Sequence, residues 1–140
     1  MGNVAFITGA TRGIGRQIAI TLAKNGFDIA LNYRTENEDL LNTKKEIENE
    51  NVKCFAVQGD VSNFESAENM VNKIIEEFGK IDVLVNNAGI TKDMLLMRMK
   101  KEDFESVIDV NLVGTFNITK NVIPFIKTLR YRCHRLRKRS

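Results

Sequence analysis

Cys54, Cys133 and His134 are the only cysteines and the only histidine in these 140 residues. Two cysteines make no disulfide framework, so a reducing cytoplasm is the expected compartment. Cys133 and His134 are neighbours without partners at ligand spacing, so no metal site is expected. No apolar run approaches the ~18 residues that a membrane span needs. The opening Met-Gly-Asn-Val-Ala-Phe-Ile lacks the basic stretch and long apolar core of a secretory signal. Acidic residues are missing from the last stretch. Of the 21 Lys and Arg, seven lie between Lys127 and Ser140, where there is no Asp or Glu. The other 14 face all 18 Asp and Glu. The net charge of +3 therefore describes a mildly acidic unit, 1–126, followed by a basic tail, 127–140.

What is present is ordinary for a globular chain: 43% hydrophobic and 28% charged residues. Apolar runs alternate with helical patterns. Asn3 to Ile7 reads as a buried strand ending in Thr-Gly. Ile14, Ile18 and Leu22 mark one face of a helix that stops near Asn25-Gly26. Asp28–Asn32, Val52–Val57 and Ile81–Val85 read as three more strands. Glu36–Glu50, with Leu40, Leu41 and Ile47, reads as a solvent-facing helix. Asn63–Phe78, closed by Gly79, reads as an amphipathic one with Ala67, Val71, Ile74 and Phe78 on its apolar face. From Lys101 the series Phe104, Ile108, Leu112, Phe116, Ile123 predicts a long helical stretch towards Ile126. Strands alternating with crossover helices imply a parallel sheet covered on both faces.

Between the first strand and the first helix stands Thr8-Gly9-Ala10-Thr11-Arg12-Gly13-Ile14-Gly15. A backbone that turns sharply and approaches a pyrophosphate cannot carry a Cβ at every step. The helix that follows offers unpaired N–H groups and its positive dipole end to an anion. Its strand–loop–helix setting makes the loop a nucleotide-site signature rather than a chance glycine pattern.

The spacing Thr-Gly-x-x-x-Gly-x-Gly resembles the first turn of the short-chain dehydrogenase/reductases. The resemblance continues through Asp60-Val61, Asn86-Asn87-Ala88-Gly89 and Asn111, over about residues 3–126. The stretch from Asn86 to Met99 narrows it to the 3-oxoacyl-[acyl-carrier-protein] reductases, with acetoacetyl-CoA reductases sharing much of the pattern. The resemblance implies a Rossmann-type three-layer α/β/α fold with a doubly wound parallel sheet. This chain supplies only its N-terminal half, with strand order 3-2-1-4. It implies a dinucleotide held by Gly9 to Gly15 (Gly9, Ala10, Thr11, Arg12, Gly13, Ile14, Gly15), with Asp60 and Val61 beside the adenine. Asn86, Ala88 and Gly89 would lie near the ribose. It also implies an acyl-carrier-protein thioester as substrate and, for the intact family, a homo-oligomer built partly on the Lys101 helix.

The end of the second strand bears on cofactor choice. An acid there would accept from a ribose 2′-OH and repel a 2′-phosphate. Asn32-Tyr33-Arg34 stands there instead, and Arg34 can fork onto a phosphate. With Arg12 as a second contact by resemblance, NADP(H) is the expected cofactor.

The family reduces a carbonyl by hydride transfer and protonates the oxygen with a tetrad of Asn, Ser, Tyr and Lys. Asn111 matches the Asn. The Ser and the Tyr-x-x-x-Lys have no matching positions. Tyr131 and Arg135 have the spacing but follow the long helix with no strand between, and Arg does not replace Lys readily. A frameshift or premature stop is the first reading of the basic tail. A basic arm for nucleic acid and a plain solvated terminus are the alternatives. The expected consequences are an inactive fragment that binds cofactor weakly and a half-sheet with an exposed fourth-strand edge.

Overall fold

The structure, a computed structural model, describes residues 2–126. The tail, with Tyr131, Cys133, His134 and Arg135, lies outside the described residues, and so do the readings made of it.

Four strands form one parallel sheet in the order β3-β2-β1-β4. They are β1 (Val4–Ile7), β2 (Asp28–Tyr33), β3 (Cys54–Gln58) and β4 (Val83–Val85). In register, Ala5 faces Ile29 and Val83, and Ile29 faces Cys54. The strand order matches the expectation. The fourth strand is shorter than expected. The chain before it is tied down by Asp82, whose Oδ2 accepts from the Val4 N–H at 2.7 Å.

Successive side chains of a strand point to opposite faces, and each face has its own core. Ala5, Ile7, Ile29 and Leu31 pack against α1 (Gly13–Lys24) and α2 (Glu38–Glu48). Val4, Phe6, Ala30 and Val57 pack against α3 (Phe64–Phe78) and α5 (Gly114–Val122). This is the three-layer sandwich. Asn63 caps α3: its Oδ1 accepts from the Ser66 N–H at 2.8 Å. Asn37 caps α2 in the same way through Leu40. Gly79 ends α3 in the left-handed conformation, φ 75°.

Two helices differ in part from expectation. In α1 Ile18 and Leu22 pack half-buried against the core as expected, whereas Ile14 is 76% exposed and the buried positions are Gly15, Ala19, Ile20 and Ala23. The small residues among them let α1 lie close to the sheet. The long helix is three pieces: α4 (Lys101–Ile108), a π-helical turn (Asp109–Val113) and α5. Its expected apolar stripe faces outward, with Phe104 58%, Leu112 65% and Phe116 57% exposed. The buried side is Val110, Gly114, Asn117, Ile118 and Val122. This segment is apolar on two sides, and periodicity alone does not say which side meets α3.

Candidate functional site

Parallel strands end together, and the loops after them meet at the carboxyl edge of the sheet. There the chain forms a cleft of about 470 Å³, a size suited to a small-molecule site. One wall is the β1–α1 loop, with Gly9, Thr11, Arg12 and Gly13. The β2 end contributes Asn32 to Thr35 and then Asn37. The β3 end contributes Asp60 and Val61, and the β4 end contributes Asn87 to Ile90. Val110 of the π-helical turn also lines the cleft.

Buried polar side chains fix these strand ends to one another. Asn32 Oδ1 accepts from the Gly9 N–H at 2.7 Å, and its amide NH2 donates to the Gly59 carbonyl at 3.3 Å. One side chain thus joins the ends of β1, β2 and β3. Thr8 Oγ1 accepts from the N–H groups of Asn87 and Ala88 at 3.0 and 2.9 Å. Asn87 returns its amide NH2 to the carbonyls of Thr8 and Gly9. The Thr43 hydroxyl of α2 donates to the Thr11 carbonyl at 2.9 Å. The glycine loop is therefore held from three sides before any ligand arrives.

The loop suits an anion. Gly9 has φ +62°, and a Cβ there would lie 2.9 Å from Ala88 Cα. Gly13, which lines the cleft, has φ +60° and nothing within 4 Å of where its Cβ would be. No side chain caps α1, and its first turn has no acid. Its leading N–H groups are left for a phosphate, with the dipole in support. The residues present fit a pyrophosphate.

Arg34 and Asp60 face each other across the cleft's outer side, Nη2 to Oδ2 at 3.7 Å. Asp60 Oδ1 accepts from the Ser62 N–H and hydroxyl at 3.0 and 2.7 Å. Burial pushes the Asp60 carboxyl up, but the Ser62 hydrogen bonds and Arg34 outweigh it, and the net direction is down. Asp60 is thus a carboxylate at neutral pH.

The sequence-selected residues divide into three groups. Gly9, Thr11, Arg12, Gly13, Arg34, Asp60, Val61, Ala88 and Gly89 line the cleft together. Ala10 and Gly15 are buried behind it, and Ile14 lies exposed on α1. Asn86 and Asn111 are not in the lining. The Asn86 amide donates to Thr119 Oγ1 at 2.9 Å. Asn111 Oδ1 accepts from the Ile90 N–H at 2.8 Å, and its NH2 donates to the Ile90 carbonyl at 3.0 Å. Sequence reasoning did not select Asn32, Thr8 or Asn87. Asn32 left a signal, a lone polar residue closing the run Ile29-Ala30-Leu31.

Among the described residues, no cluster of His, Cys, Asp and Glu could hold a metal ion, and no helix is long and apolar enough to cross a membrane.

The family model for short chain dehydrogenases matches residues 3–131. The chain is 45% identical over 124 residues to the 3-oxoacyl-[acyl-carrier-protein] reductase FabG of Staphylococcus epidermidis, covering 89% of this chain and 51% of that protein. It is 44% identical over 126 residues to the Thermotoga maritima protein of the same name, covering 89% and 50%. Among solved structures, an alcohol dehydrogenase from the archaeon Thermococcus sibiricus complexed with 5-hydroxy-NADP superposes with a TM-score of 0.83. That pair shares 37% identity over 90% of this chain and 54% of the other. Carveol dehydrogenase from Mycobacterium avium, in complex with NAD, gives 0.81 at 31% identity, covering 89% and 50%. The chain spans about half the length of the curated relatives it matches. Sheet order, glycine loop and sequence agree, and the chain belongs to the short-chain dehydrogenase family.

Proposed function

We propose that residues 1–126 form the NADP(H)-binding part of a 3-oxoacyl-[acyl-carrier-protein] reductase. The observation that carries the cofactor choice is the pair of cations, Arg12 and Arg34, lining one cleft whose β2 end has no acid. The α1 N-terminus at Gly13 would hold the pyrophosphate, Asp60 and Val61 the adenine, Arg34 and Arg12 the 2′-phosphate, and Ala88 and Gly89 the ribose. When bound, NADPH supplies the hydride that turns a 3-oxoacyl thioester into a 3-hydroxyacyl thioester.

This chain's own residues bind and orient. Asn111 positions Ile90, and through it the wall formed by Asn87 to Ile90, by gripping both backbone groups. No described side chain donates a proton to the nascent alkoxide, a role that the family gives to a Tyr beside a Lys. The outcome expected of the 140-residue chain is cofactor binding without turnover.

Fluorescence titration with NADPH and NADH tests the binding. NADPH binds more tightly, and Arg34→Ala narrows the gap by about tenfold, the scale of a charge-assisted contact to phosphate. Equal affinities in the unsubstituted chain refute the NADP(H) assignment. Reduction of an acetoacetyl thioester by the 140-residue chain refutes the lack of turnover, and its survival in Tyr131→Phe shows that Tyr131 is not the proton donor.

A further inference from the structure

Two guanidinium groups line the cleft, and they are not equivalent. Among the described residues Arg12 enters no ion pair, whereas Arg34 has the Asp60 carboxylate at 3.7 Å. Both partners are held. The Arg34 carbonyl accepts from Gln58 Nε2 at 3.0 Å, which fixes its backbone to the end of β3. Ser62 occupies Asp60 Oδ1, and the Asp60 N–H donates to Ser66 Oγ at 2.9 Å. Asp60 Oδ2 is the oxygen left to face Arg34.

We propose that Asp60 is a further specificity-determining residue of this cleft, one that works against a 2′-phosphate by sharing the charge of Arg34. The inference rests on the assignment of Arg34 to that phosphate. A phosphate arriving at Arg34 meets a cation already partly neutralised by its carboxylate partner. Arg34 is 65% exposed at its side chain, so solvent screens the pair and the effect is moderate. Any contact of Asp60 with adenine is common to NADP(H) and NAD(H) and cancels from their ratio. The preference for a 2′-phosphate thus reflects a contest between Arg12 with Arg34 on one side and Asp60 on the other.

The test uses adenosine 2′,5′-bisphosphate and AMP, which differ only in the 2′-phosphate, titrated calorimetrically into the 140-residue chain. Asp60→Asn removes the charge and keeps an acceptor oxygen for Ser62. It raises the preference for the bisphosphate about two- to fivefold, the range of an exposed ion pair. Asp60→Ser moves the ratio the same way, and retained AMP binding shows that the cleft is intact. In an Arg34→Ala background the same substitutions leave the ratio unchanged. A ratio that stays level or falls in both variants overturns the inference, and so does an equal rise in the Arg34→Ala background. Arg34→Ala alone separates the two readings. If it leaves the bisphosphate preference intact, the phosphate assignment fails. If it removes the preference while both Asp60 variants are silent, only the Asp60 inference fails.

Discussion

Gly9 combines three demands at one position. Its φ is +62°, a Cβ would lie 2.9 Å from Ala88 Cα, and its N–H is spent on Asn32 at 2.7 Å. Gly9→Ala therefore costs about 1–3 kcal/mol from backbone conformation alone, before the clash with Ala88 is counted. A urea denaturation midpoint close to that of the unsubstituted chain would show that the loop yields where it is described as rigid. The glycine spacing was legible because a positive φ restricts residue type. Thr8 was not, and Asn32 showed only as a polar break in an apolar run, since a buried threonine or asparagine is recognised by what it bonds, and those partners lie 23 to 80 residues away. Cys54 is the opposite case, a reactive residue type made inert by its setting. Burial first, then Glu48, pushes its thiol up to about 12 against a partial opposing pull from Lys44. A raised folded-state value stabilises the native chain below the unfolded thiol's pKa of ~8.5, and that contribution is lost as pH rises towards 12. In a Cys133→Ser variant, iodoacetamide should label Cys54 at pH 8.5 only as fast as the chain opens. Labelling at the free-thiol rate without denaturant would contradict this burial.

At the scale of elements, the strands were readable and the last helix was only half so. Continuous apolar runs identify buried parallel strands whichever face each residue takes, so a one-residue error in a boundary does little harm. A helix must present one face, and the segment from Lys101 has two apolar candidates. Phe104, Ile108, Leu112 and Phe116 are the larger residues, yet α3 receives Ile118 and Val122, both fully buried. The small Gly114 admits close approach, and the Asn117 amide donates to the Val61 carbonyl at 3.0 Å, which turns that face inward. The π-helical turn then adds a residue to the helical repeat at Asn111, and an i, i+4 count taken from the sequence does not register it. Paired substitutions separate the faces. Ile118→Ala should cost about 2–5 kcal/mol in chemical denaturation, as a buried large-to-small change does. Leu112→Asn should stay within about 0.5 kcal/mol, as an exposed change does. Reversed magnitudes would mean that α5 packs on its other side.

The whole described unit buries two cores and leaves two surfaces unmatched. β4 pairs with β1 alone, so its outer edge has no partner strand among the described residues. On the same side of the sheet order, the α4–α5 segment turns Phe104, Leu112 and Phe116 to water, each more than half exposed. Leu96 and Met97, in the short 3₁₀ turn before α4, are 84% and 88% exposed. An unpaired edge together with several exposed apolar side chains favours association, because pairing strands and removing apolar surface from water act in the same direction. The order 3-2-1-4 already pointed to the open edge, whereas the outward stripe emerged only from the packing of α5. In sedimentation velocity the 140-residue chain should therefore self-associate as its concentration rises through the micromolar range. Leu112→Lys combined with Phe116→Lys should return it towards the monomer, since each change adds a like charge to the apolar stripe and leaves both cores untouched. A chain that sediments as a monomer throughout, or a double variant that associates as strongly as its parent, would mean that these surfaces do not drive association.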